Sequence, residues 1–167
     1  LTREFVEAVR HTACRILDTR KTAPGLRWFD KYAVRLGGGY NHRFGLFDGV
    51  LIKDNHIACV GSITRAVQKA RKGAPHTLKV QVEVEDPAEV EEACKAGAEA
   101  ILLDNMTPGQ LREAVQIARG RVLLEASGGM NLETVRTVAE AGVDFISVGA
   151  LTHSVRAADL SLEVMST

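Results

Sequence analysis

Three acids, Glu83, Asp104 and Glu125, recur at intervals of 21 residues, and Ser147 follows 22 residues after the last of them. Each lies at or near the end of a short apolar run. Parallel strands need a crossover of a dozen or more residues, usually a helix, and a strand with its helix fits this interval. A repeated interval also gives successive strand ends the same kind of side chain. In a βα barrel those ends converge on one face, where functional groups collect. In an open doubly wound sheet they would be strung along an edge, so the regular period favours the barrel.

Strand-like runs fall at residues 15–18, 50–53, 78–84, 100–103, 122–125 and 145–148, and helical patterns at 62–71, 87–96, 108–118 and 132–141. Ser62 and Asn131 suit N-caps, and Pro87 and Pro108 suit first turns. Gly73, Gly97, Gly120 and Gly142 follow last turns. Continuous apolar strands alternating with helices predict a parallel sheet covered by helices. Six strands fall short of eight. The expected fold is therefore an incomplete parallel α/β barrel of fewer than eight strands, one domain over residues 1–167, long enough to bury a sizeable core.

Alternation in Val80-Gln81-Val82-Glu83-Val84-Glu85 sets Gln81, Glu83 and Glu85 on one face, opposite the valines. An inward polar face is costly unless something binds there; a solvent-facing edge strand is the alternative. Asp104, closing Leu102-Leu103 one repeat later, shifts the balance toward a site. Two carboxylates at neighbouring strand ends can hold Mg2+ directly or through water, or bond sugar hydroxyls. Asp18 and Asp54 also follow strands, and either join them or pair with nearby cations. Ser127-Gly128-Gly129 and Ser147-Val148-Gly149-Ala150 bring free backbone N–H groups to the last two strand ends, where barrels commonly seat a phosphate.

Charge is balanced overall but not along the chain. Residues 1–56 hold 10 Lys/Arg against 6 Asp/Glu, and the remainder 11 against 15. The basic residues Arg20, Lys21, Arg27, Lys31, Arg43 and Lys53, with His42, sit beside Gly25 and the run Gly37-Gly38-Gly39. Convergent cations suit a small molecule bearing several negative charges. A net charge of zero gives no sign of nucleic acid or an anionic membrane surface. Cys14, Cys59 and Cys94 show neither metal-ligand spacing nor a disulfide framework, which fits a reducing cytoplasm. No apolar run reaches the roughly 20 residues of a membrane span. The opening at Leu1, directly on an amphipathic segment with Phe5, Val6, Val9 and Ala13 on one face, suggests that preceding material has been removed. His42 and His56 lack zinc spacing. His11, His76 and His153 read as surface or supporting residues, and Trp28 and Phe29 as anchors of a loop.

The 39-residue run from Asp18 to His56, DTRKTAPGLRWFDKYAVRLGGGYNHRFGLFDGVLIKDNH, resembles the signature of the quinolinate phosphoribosyltransferase family. QVEVE, AILLDN, EASGGMN and SVGALTHS extend the likeness nearly to the last residue. The resemblance implies a type II phosphoribosyltransferase barrel that joins quinolinate to phosphoribosyl pyrophosphate with Mg2+, giving nicotinate mononucleotide, pyrophosphate and CO2 in de novo NAD biosynthesis. It implies that Arg20, His42, Arg43 and Lys53 line the quinolinate pocket. Lys21, Glu83 and Asp104 would face phosphoribosyl pyrophosphate and its metal. Ser127, Gly128, Gly129, Gly149 and Ala150 would hold phosphate, with Ser147 beside them. It further implies a homodimer or higher homo-oligomer, an N-terminal α/β sandwich domain absent from these residues, and an isolated chain that falls short of activity. A paralogue using another aromatic acid, or a non-catalytic phosphate-binding barrel, are the alternatives.

Overall fold

The computed structural model describes residues 1–165. Six strands, β1 (Arg15–Leu17), β2 (Val50–Ile52), β3 (Val80–Val84), β4 (Ala100–Asp104), β5 (Leu123–Ser127) and β6 (Phe145–Ser147), form one sheet in the order β1-β6-β5-β4-β3-β2. Every pairing is parallel. β1 and β2 are the two edges and do not pair with each other, so the barrel is incomplete. Tyr40 extends the sheet past β1: its N–H donates to Ile16 O at 2.8 Å, and Asp18 N–H donates to Tyr40 O at 3.1 Å.

The sheet's curvature can be read from one bond. Gln81 on β3 and Glu125 on β5 are separated by the whole of β4, a span of about 9–10 Å at ordinary strand spacing. Their side chains nevertheless meet at 2.7 Å, which requires both strands to lean toward a common interior. Gln81, Glu83, Leu102, Asp104, Glu125, Ser127 and Ser147 face that interior, and the residues between them face outward. The outward set (Val80, Val82, Val84, Ile101, Leu103, Ala126 and Ile146) is almost wholly buried.

What buries the outward set is a layer of helices, α4 (Ile63–Gly73), α5 (Pro87–Ala96), α6 (Pro108–Ala118) and α7 (Val135–Glu140), through Val67, Val90, Leu111 and Val135. Each fully buried aliphatic side chain is worth about 1.5–3 kcal/mol. The helix starts are built as the sequence suggests. Ser62 Oγ accepts Arg65 N–H, and Asp86 and Thr107 cap helices whose first residues are Pro87 and Pro108. Asn131 Oδ1 accepts the N–H groups of Glu133 and Thr134, capping a turn that leads into α7. α1 (Thr2–Val9) buries Phe5 and Val9 and packs against α7.

Three helices lie where no helical pattern was expected: α2 (Arg27–Leu36), α3 (Asp54–Val60) and the short α8 (Ala150–His153). In α2 the buried residues are Lys31 and Val34, while Trp28 and Phe29 are 60% and 62% exposed. They do not anchor a loop; Trp28 stacks on Tyr32 at the surface. Two further expectations are corrected: Gly73 is the last residue of α4 rather than the one after it, and Ala13 lies beyond α1, exposed. Cys14 packs as a small apolar group, burial pushing its thiol up to about 12.

Candidate active site

The cleft at the C-terminal ends of the strands begins with a buried ion pair. Asp18, immediately after β1, is 0% exposed, and Lys31 of α2 is 4% exposed. Lys31 Nζ donates to Asp18 Oδ1 at 2.5 Å and to the His42 carbonyl at 2.9 Å. Asn41 Nδ2 and the His42 N–H also donate to Asp18. An isolated buried carboxylate would be prohibitive; here cation and donors together satisfy it. Asp18 and Lys31 are thereby spent on fixing the segment 41–43 against β1, and neither is left to bind a ligand. Asp54, at the start of α3, is exposed and outside the cleft lining.

That clamp presents the cations. Arg27 ties the 20–22 turn to the 44 segment, donating from Nε to Thr22 Oγ1 (3.0 Å), from Nη2 to Arg20 O (3.1 Å) and from Nη1 to Phe44 O (3.3 Å). Arg43 Nη1 donates to Gly49 O at 2.7 Å. Arg20 Nε is buried without a hydrogen-bond partner. Burial and the nearby Arg20 charge both pull the Arg43 guanidinium below its ordinary range. Among the described residues Arg20, Lys21 and Arg43 form no ion pair. Arg20 and Arg43, half-buried, and exposed Lys21, all three without an ion-pair partner, make a receptor for anionic oxygens.

The opposite wall carries the acids. Lys53, following β2, meets Glu83 of β3 at 2.7 Å. Asp104 ends β4 and accepts from Asn105 Nδ2 at 2.7 Å. Asn105 takes φ 53°, and its N–H donates to Ser127 O, joining the β4 and β5 ends. Gly128 has φ 101°, and a Cβ there would strike the Asn105 side chain and backbone nitrogen, so only glycine fits. Among the described residues no three His, Cys, Asp or Glu side chains gather as a protein-only metal cage. Mg2+ commonly keeps its waters and takes one or two carboxylates plus substrate phosphates, and Glu83 with Asp104 suits that pattern.

One cleft of about 630 Å3 unites these walls, within the ~300–1,000 Å3 typical of small-molecule sites. Arg20, Lys21, His42, Arg43, Lys53, Glu83, Asp104, Ser127, Gly128, Gly129, Ser147, Gly149 and Ala150 all line it. The residues that the sequence marks for the site are thus brought together by the fold. Thr19, Asn105 and Glu125, to which the sequence gives no site role, and His153, expected as a surface or supporting residue, line the same cleft. For Glu125 the signal is the 21-residue period it shares with Glu83 and Asp104. Glu85, expected beside Glu83, leaves the face: it is exposed beyond β3, and its N–H donates to Glu89.

Comparison with known proteins gives a consistent relationship. The family model described as "Quinolinate phosphoribosyl transferase, C-terminal domain" matches residues 1–163. "Probable nicotinate-nucleotide pyrophosphorylase [carboxylating]" of Bacillus subtilis is 49% identical over 98% of this chain and 57% of its own length. "Nicotinate-nucleotide pyrophosphorylase [carboxylating]" of Mycobacterium leprae is 50% identical, over 96% of this chain and 57% of its own. The solved "nicotinate-nucleotide pyrophosphorylase from Francisella tularensis" superposes with a TM-score of 0.92 at 48% identity, covering 96% of this chain and 57% of that one. The chain spans somewhat over half the length of these relatives.

Proposed function

The chain belongs to the quinolinate phosphoribosyltransferase family, matching its C-terminal domain, and from that premise we propose that the complete protein joins quinolinate to phosphoribosyl pyrophosphate. The products are nicotinate mononucleotide, pyrophosphate and CO2. The observation that carries the reading is the pairing, in one cleft, of unpaired cations Arg20, Lys21 and Arg43 with the strand-end groups Glu83, Asp104, Ser127 and Gly128. A dicarboxylate and a doubly phosphorylated sugar repel one another, and such a cleft offsets that repulsion.

Arg20 and Arg43 grip the two ring carboxylates, and Lys53 adds a point charge steadied by Glu83. Lys21, exposed at the mouth, faces the departing pyrophosphate. The glycine loops at 127–129 and 147–150 hold the 5′-phosphate on backbone N–H groups. Bound Mg2+, held by Glu83 and Asp104 or their waters, would supply charge neutralisation at the pyrophosphate. The ring nitrogen uses its lone pair to form the bond to the ribose anomeric carbon as the bond to pyrophosphate breaks. The pyridinium so formed accepts the electron pair of the adjacent carbon–carboxylate bond as CO2 leaves, and a proton then takes the carboxylate's place. No strong protein base is needed, so positioning and electrostatics carry the rate. We propose a homodimer or higher homo-oligomer as the working assembly.

Offering quinolinate and nicotinate side by side to the complete protein with phosphoribosyl pyrophosphate and Mg2+ tests the reading. Turnover of quinolinate with loss of one carboxylate is expected. Preference for nicotinate would overturn it in favour of a different aromatic acid.

A further inference from the structure

Glu125 is the one acid of the periodic set given no task above. It is 4% exposed on the interior face of β5 and lines both the cleft and a smaller cavity of about 260 Å3 toward the strand starts. It therefore belongs to the floor between the two. Gln81 Nε2 donates to its Oε2 at 2.7 Å, His42 Nε2 lies 3.3 Å from the same oxygen, and Oε1 is buried with no partner. Burial pushes this carboxyl up, but His42 and Gln81, with Ser147 also favouring the charged form, hold it below its ordinary range.

The other ring nitrogen of His42 fixes the protonation pattern. Arg43 N–H donates to His42 Nδ1 at 2.8 Å. A backbone N–H can only donate, so Nδ1 presents a lone pair and the neutral ring carries its proton on Nε2, facing Glu125. The opposite tautomer would set Nδ1–H against Arg43 N–H, donor to donor, and Nε2 against a carboxylate oxygen, acceptor to acceptor. Glu125 thus acts through His42 on the backbone of Arg43, whose guanidinium is one of the cleft's unpaired cations.

We propose that Glu125 is a positioning residue of this site, holding His42 with its ring proton on Nε2 and so setting Arg43 for the ring carboxylates. The proposal rests on the quinolinate reading for its kinetic consequence only; the tautomer itself does not depend on it.

The test uses the complete protein as wild type, Glu125→Ala and Glu125→Gln. In 15N-histidine-labelled wild type, with His42 assigned by its loss in His42→Asn, ring correlations are expected to show Nδ1 unprotonated and Nε2 protonated. A protonated Nδ1 would overturn the proposal. In steady-state kinetics Glu125→Ala is expected to raise KM for quinolinate at least about tenfold while changing KM for phosphoribosyl pyrophosphate by less than about threefold. Glu125→Gln, whose amide oxygen can accept from both Gln81 and His42, is expected to keep the wild-type tautomer and a KM within about threefold of wild type. Equal losses on both substrates, or no rescue by glutamine, would assign Glu125 a purely structural role and refute the proposal. If Glu125→Ala does not fold, the wild-type ring signature and the Glu125→Gln kinetics decide. A wild type that does not turn over quinolinate would sink the proposed activity and leave the ring signature to judge Glu125.

Discussion

Replacing Lys31 with Met isolates the clamp on which the site is built. Met keeps much of the lysine's buried stem and removes the ammonium, leaving Asp18 at 0% exposure with Asn41 and the His42 N–H as its remaining donors. Removing one partner of a buried pair typically costs about 3–5 kcal/mol, because the other charge stays desolvated. With urea slopes of about 1–3 kcal/mol per molar, the unfolding midpoint followed by far-UV circular dichroism should fall by at least about 1 M. Adding Asp18→Asn removes the uncompensated charge while leaving an oxygen for the His42 N–H, and should recover about 1–2 kcal/mol. A Lys31→Met protein within about 1 kcal/mol of wild type would refute the reasoning. So would an Asp18→Asn substitution that deepens the loss.

Three further outcomes are expected. Lys21→Ala and Arg43→Ala in the complete protein should each lower kcat/KM by at least about tenfold, or 1.4 kcal/mol, whereas His76→Ala, exposed and outside the cleft, should leave it unchanged; wild-type kinetics in either basic variant would remove that residue from the site. Gly128→Ala, strained at φ 101° and colliding with Asn105, should lower activity at least about tenfold; kinetics unchanged from wild type would show that the 127–129 loop is not used. Exposed Cys59 should react with a maleimide in the native protein while Cys14, buried and with its thiol pushed up to about 12, reacts only on unfolding; peptide mapping that finds Cys14 labelled first would contradict its place in the core.

The barrel was legible because its strands show as apolar runs alternating with helices, and because β3, β4 and β5 each carry an acid at a fixed interval. Helices α5 and α6 start at the prolines the sequence marks. Helix α2 escaped because the residues it turns inward are Lys31 and Val34, while its apolar stripe, Phe29, Tyr32 and Leu36, is left exposed, the reverse of the usual pattern. Only the fold reveals the partner, Asp18, that makes this burial tolerable. For the same reason Lys31 looked like an anion-binding cation while in fact it is consumed internally. The cleft residues were legible through their type and spacing and through family likeness. The His42–Glu125 contact joins residues 83 positions apart, and no local pattern encodes a pairing made by curling the sheet. Seeing it required knowing that β5 and the segment after Tyr40 share one interior.

The most direct measurement is the ratio of CO2, released from quinolinate labelled in the carboxyl next to the ring nitrogen, to pyrophosphate, released from phosphoribosyl pyrophosphate, by the complete protein. Equal amounts of the two are expected, with no CO2 when phosphoribosyl pyrophosphate is withheld. Pyrophosphate without CO2, or CO2 independent of the sugar phosphate, would contradict a single cleft that serves both substrates.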